Sequence, residues 1–291
     1  MKDKQFAKRD TTSVSRRHLL KGAVASALVL PGVAAAQNAA AAKADPEDRV
    51  DLSQQHAFYG HGGQAGVTTP PQRHVMFMTF DMTSQNPRDL QILLARWSAA
   101  IAQMMAGEII GQVEPQRNSG IGMDTGEALD LAPASLTVTV GLGPRIFSDT
   151  YGLQQHKPPL MRELAELPSD NLQPALSGGD LSLQACADDP QVAYHAIRNL
   201  ARIAKDTGAA ATRWSVLGFG RASAGKNQST PRNLFGFKDG TRNLTEQSDF
   251  NKFVWINDGG PAWQQQGTYQ VVRKIKMHIE NWDTDRVSDQ N

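Results

Sequence analysis

Cys186 is the only cysteine in the 291 residues. That excludes an intramolecular disulfide, a Cys-X-X-Cys redox pair and any zinc site built on several thiolates. An excess of charge of one sign is also missing. The formal net charge is +1, and the basic residues are scattered beyond the N-terminus, so nothing in the charge argues for a nucleic-acid partner. The phosphate-loop pattern GxxxxGK does not occur, and GLGPRIF at 141–147 lacks the context of a dinucleotide-binding turn. No serine sits in GxSxG and no histidine in HExxH, which weakens hydrolase and metalloprotease readings. The apolar run at 22–36 is interrupted by Pro31 and is shorter than the ~20 residues of a membrane-spanning helix.

The N-terminus is rich in other ways. Lys2, Lys4, Lys8 and Arg9 precede SRRHLLK at 15–21, and the apolar run follows. This is the layout of an export signal, and its paired arginines point to the twin-arginine route, with a disordered basic tail as the bland alternative. Ala36 and Ala44 each end an Ala-x-Ala tripeptide, so residues 1–44 are expected to be removed. That route carries folded proteins, often around a cofactor loaded in the cell, and delivers them to an oxidising periplasm. With no disulfide available there, stability must come from the core.

Residues 45–72 read as an extended arm dense in glycine and proline. An alternating pattern of elements then fills 73–220. A strand is expected over 74–81, and Asn86-Pro87 opens a helix carrying Leu90, Leu93, Leu94, Trp97, Ile101, Met104 and Met105. Strands follow at 136–140 and 181–185, then a helix opened by Asp189-Pro190, then a strand at 214–219. Strand-helix-strand-strand-helix-strand is the ferredoxin-like order, with both helices on an antiparallel sheet. An insertion at 143–179 is expected to hold a short helix over 159–167. Residues 221–291 are read as the start of a second such unit, with a strand over 268–279 and a helix beginning at Trp282. One strand and a helix start cannot cover a sheet face, so this unit is expected to be completed by residues beyond 291 or by a partner.

The segment NLFGFKDGTRN at 233–243 sets Asp239 behind Phe235 and Phe237 and before Gly240. Two readings stand. Asp239 can belong to a plain Asp-Gly surface turn. It can also be a proton-transfer group, with Gly236 and Gly240 letting backbone approach a flat ligand and the two rings desolvating the carboxylate. Arg232 and Arg242 are either structural or bind a carboxylate group. The histidines form no ligand cluster: His56 and His61 lie in the arm, His74 begins a strand, His156 is in the insertion, His195 packs on a helix and His278 lies on the 268–279 strand. Cys186 reads as a small buried residue.

GFKDG at 236–240 resembles the GxxDG signature of the dye-decolourising haem peroxidases. The longer TPRNLFGFKDGTRN at 230–243 is similar to the subgroup exported by the twin-arginine route for iron uptake. So are FYG with QAGVTTPPQ at 58–72, GDLSLQACADDPQVAYHAIRNL at 179–200 and GTYQVVRKIKMHIENWD at 267–283. The resemblance implies two ferredoxin-like units of the dimeric α+β barrel type, with one haem b held chiefly against the second. It implies Asp239 as the distal acid-base toward hydrogen peroxide, with Gly236, Phe237, Gly240, Thr241 and Arg242 around the cofactor. A proximal histidine and a distal arginine are implied beyond residue 291, so residues 45–291 alone are expected to bind haem weakly. Organic dyes, phenols or porphyrins are the implied electron donors, and removal of iron from haem (deferrochelatase activity) is an implied possibility. Trp255, Trp263, Trp282, Tyr269 and Tyr151 are relay candidates that read equally as packed aromatics. Partners in an iron-uptake system, the twin-arginine translocase and a homo-oligomer are expected; nucleic acid and a membrane span are not. A periplasmic haem carrier without enzymatic activity is the alternative. One departure stands out: Gly63 occupies the place before Gln-Ala-Gly where the family commonly has histidine.

Overall fold

Asn86 and Pro87 open the first helix as their chemistry requires. The Asn86 side chain accepts a hydrogen bond from the amide of Arg88 at 3.0 Å, and proline at the first position has no amide to leave unpaired. The computed structural model describes residues 50–60, 62–115, 120–220, 232–240, 242–286 and 288, all within the compact unit Glu47–Asn291. The export segment, His61 and Thr241 lie outside the described residues.

Six elements form the body: β1 (His74–Met82), α1 (Pro87–Met105), β2 (Thr137–Leu142), β3 (Leu181–Ala187), α2 (Pro190–Asp206) and β4 (Ala210–Phe219). All pairings are antiparallel, and the spatial order is β2-β3-β1-β4. This is the ferredoxin-like arrangement expected from the sequence. Each β3 residue of one parity is buried, from Leu181 to Ala187, because alternate side chains point at the helices. Phe80, Leu93, Trp97, Ile101, Leu183, Ile197 and Leu200 are fully or almost fully enclosed between sheet and helices. Each large side chain so buried contributes about 1.5–3 kcal/mol. The Trp97 indole nitrogen reaches the Leu200 carbonyl at 2.8 Å, so the one polar atom of this ring is satisfied where α1 meets α2. Asp189 caps α2 by accepting from the amides of Gln191 and Val192.

The barrel expected from the resemblance is not formed. The sheet has four strands and stays open: β2 and β4 are its two edges and do not pair with each other. Closure needs a tilted sheet of more strands, ~8 in small barrels, and four cannot bend far enough to join their edges.

Three local expectations also change. Residues 159–167 are turn and coil rather than helix, with short 3₁₀ turns at Asp149–Tyr151, Gln154–His156 and Pro174–Leu176 instead. Leu160, Leu164 and Leu167 are exposed there, so an amphipathic helix would have nothing to pack on. The insertion is held by charge instead: Arg213 donates to the carbonyls of Ser177 and Pro174 and pairs with Asp81 at 2.8 Å, while Arg145 bridges Asp81 and Asp180. Residues 268–278 form no strand; Val271, Val272 and Ile275 are exposed, and the alternation of apolar residues does not by itself supply a ladder partner. His278 therefore lies in coil. The helix expected at Trp282 is a single turn, Ile279–Trp282, which ends at the tryptophan rather than starting there. Among the described residues no helix is long and apolar enough to cross a membrane.

Candidate active site

Residues 232–238 close on themselves as a small hairpin. Arg232 and Lys238 form an antiparallel bridge, and the amide of Asn233 donates to the Phe237 carbonyl at 2.9 Å. The Gly236 amide returns to the Asn233 carbonyl at 2.9 Å, and Gly236 itself has φ 82°. A three-residue hairpin loop of this kind ends in a left-handed residue, which explains the glycine at 236. The Asn233 side-chain oxygen accepts from the amides of Phe235 (3.0 Å) and Phe237 (3.2 Å), so four hydrogen bonds of the loop converge on one residue. Arg232 donates to the Gly236 carbonyl, which makes it a structural part of the loop.

Asp239 follows the hairpin and is exposed. The two phenylalanines do not enclose it. Their ring centroids lie 5.1 Å (Phe235) and 5.6 Å (Phe237) from that of Trp282, so both rings are turned to the tryptophan. Gly240, at φ 84°, starts the next turn, in which the Asn243 amide reaches its carbonyl at 3.1 Å. Arg242 is exposed beside it.

A flat macrocycle needs a surface that backbone can approach. A Cβ built on Gly236 would meet nothing within 4 Å, and the neighbouring Leu234 and Phe237 are 69% and 47% exposed. On this observation the loop leaves open space for one face of a flat macrocycle, beside a partly apolar rim and a carboxylate. The described residues hold no group of three or more His, Cys, Asp or Glu that could bind a bare metal ion.

The other singled-out residues are spread through the fold. Gly63 lies against the Trp255 ring, and a Cβ there would stand 2.5 Å from a ring carbon. A histidine at 63 has no room while Trp255 holds that place. Trp263 stacks on Phe147 at 5.6 Å, and the Tyr151 hydroxyl donates to the Ser84 carbonyl at 2.8 Å. Tyr151 titrates above its ordinary value, chiefly through burial and then through the nearby Asp180. Tyr269 is partly exposed. His56 bonds Ser135 at 2.8 Å, His156 ends a surface turn, and His195 is packed as expected. Nothing in the chain's pattern pointed to His195's partner, the buried Asp124, which lies 71 positions away. It also passed over Asn233, although asparagine three residues before a glycine is a turn signal.

The profile described as "Dyp-type peroxidase, N-terminal" matches residues 64–220, and "Dyp-type peroxidase, C-terminal" matches 230–291. This chain is a member of the DyP-type peroxidase family. It is 36% identical over 293 residues to the deferrochelatase of Yersinia pestis and 33% identical over 288 residues to that of Escherichia coli O157:H7. These alignments cover 97% and 95% of the chain, but 66% of each relative, just under two thirds of their length. Among solved structures, a DyP-type peroxidase from Streptomyces coelicolor superposes with a TM-score of 0.72 at 37% identity, over 82% of this chain and 62% of the other. Ferric DtpA from Streptomyces lividans gives 0.70 at 37% identity, over 82% and 61%.

Proposed function

We propose that this chain belongs to a haem b peroxidase that uses hydrogen peroxide to oxidise dyes, phenols or porphyrin-type donors, with Asp239 as its proton-transfer group. The observation that carries the reading is the loop at 232–240, which sets an exposed carboxylate at the end of an apolar, glycine-opened surface. Haem b, when bound, supplies the iron at which the O–O bond of peroxide is cleaved. Asp239 would take up a proton from one oxygen of hydrogen peroxide and return it to the other, which leaves as water. On this reading Gly236, Phe237, Gly240, Thr241 and Arg242 would be the residues that hold the cofactor. The iron-ligating histidine and the charge-stabilising arginine that the resemblance implies would be supplied by residues other than the described ones.

The domain division follows the same reading: a leader over 1–44, an arm over 45–72, a first ferredoxin-like unit over 73–220, and the GxxDG segment with the beginning of a second, haem-binding unit over 221–291. The deferrochelatases among the relatives support iron release from haem as a use of this site. The paired arginines at 16 and 17 support periplasmic delivery in a folded state by the twin-arginine translocase, and a homo-oligomer is part of the same reading. Oxidation of an artificial donor by the haem-loaded full gene product tests the function. Peroxide-dependent turnover well above that of free haem is expected. Haem binding with turnover no better than free haem would make the protein a carrier instead.

A further inference from the structure

Asp239 is exposed, and among the described residues its position depends on the loop that carries it. We infer that Asn233 and Trp282 are the positioning residues of this site: one knots the hairpin from inside, the other clamps its two rings from outside. The inference rests on the reading of Asp239 as the proton-transfer group.

Asn233 acts through hydrogen bonds. Its side-chain oxygen holds the amides of Phe235 and Phe237, alternate residues on either side of Gly236, while its own amide and carbonyl close the ends of the turn. Loss of the side-chain acceptor would free two amides at once in a loop whose β-bridge, among the described residues, is isolated. Trp282 acts through packing. It lies 45 positions beyond Phe237, on the single helical turn Ile279–Trp282, yet both phenylalanine rings lean on it at inclined angles of 46° and 56°. Asp239 is two residues from Phe237, so anything that lets this ring swing moves the carboxylate. A proton-transfer group must stay within hydrogen-bond reach of its substrate, and a displacement of ~1 Å can cost ~10²-fold.

The test uses the full gene product with four substitutions: Asn233→Ala, Asn233→Asp, Trp282→Ala and Trp282→Phe. Amide hydrogen exchange at Phe235 and Phe237 reads the clamp without reference to catalysis. Removal of either clamp should speed exchange at both amides roughly tenfold, the scale of one or two net hydrogen bonds. Amides of β1 and β3 should keep their protection, which shows that the fold is intact. Asn233→Asp, which keeps the acceptor, and Trp282→Phe, which keeps a ring, should retain most of the protection. The rate of the peroxide-dependent step should fall in the two alanine variants and recover in the conservative ones, with the KM of the organic donor unmoved. Unchanged exchange in Asn233→Ala would overturn the clamp. Faster exchange with an unchanged peroxide step would overturn the positioning role. If Asp239→Asn itself leaves that step unchanged, the reading of Asp239 fails and the positioning role fails with it, whereas the exchange data still report on the loop.

Discussion

His195 Nε2 donates to Asp124 Oδ1 at 2.8 Å, and their side chains are 4% and 0% exposed. Asp124 also accepts from the amides of Ile110 (2.9 Å) and Gly126 (2.7 Å), so one carboxylate ties the loop after α1 to the N-terminal part of α2. Burial pushes the Asp124 pKa up, but the bonds from His195 and the two amides outweigh it and hold the carboxyl below its ordinary value. A carboxyl depressed in the folded state stabilises the fold above its unfolded pKa, and that contribution is lost as the pH falls through the folded value. Asp124→Asn should therefore lower stability at neutral pH by about 3 kcal/mol, the scale of breaking a buried pair. Urea unfolding across the acid range checks this: the gap between wild type and variant should be constant above the unfolded carboxyl pKa and narrow below it.

Gly63 should tolerate no side chain. Its φ of 91° strains any L-residue, and a Cβ would press on Trp255 and on the Gln266 carbonyl at 2.7 Å. Gly63→Ala should cost about 2–4 kcal/mol through strain and overpacking together. Gly60, where a Cβ meets nothing within 4 Å, is the control, and Gly60→Ala should be close to neutral in thermal unfolding.

The first unit was legible in the sequence because its signals are local. Asn86-Pro87 and Asp189-Pro190 mark the helix starts in the chain itself, and the alternation in β3 marks its buried face. Residues 268–279 carry a similar alternation, but a strand exists only with a neighbour, and pairing is not written in the segment that pairs. The failed helix at 159–167 has the same cause, since its leucines needed a surface to cover. At the candidate site, Asp239 was legible from GFKDG, yet the direction of Phe235 and Phe237 depended on Trp282, more than forty positions later. The open sheet, too, is a property of strand number and edges rather than of any one motif.

Cys186 lies on the interior strand β3, paired with Val75 on one side and Thr137 on the other, but on the face away from the helices, so it is partly buried rather than enclosed as expected. Burial pushes its thiol up to about 11, with a smaller opposing effect of Gln184. At neutral pH the thiolate fraction is negligible, so a thiol-specific reagent should label the native protein slowly. Labelling should become fast once denaturant unfolds the sheet. Rapid labelling under native conditions would contradict the placement.

Export is tested at the paired arginines. Arg16→Lys combined with Arg17→Lys should leave the precursor inside the cell, as followed by fractionation. A normal periplasmic yield of the double variant would exclude the twin-arginine route.

The most direct measurement concerns Asp239. Asp239→Asn in the full gene product keeps the shape of the side chain and removes its ability to take up and return a proton. The haem Soret absorbance should show that cofactor binding is retained, while stopped-flow mixing with hydrogen peroxide should show the first step slowed by ~10²–10⁴-fold, the usual contribution of general acid-base catalysis. An unchanged rate of that step in a haem-loaded variant would contradict the account.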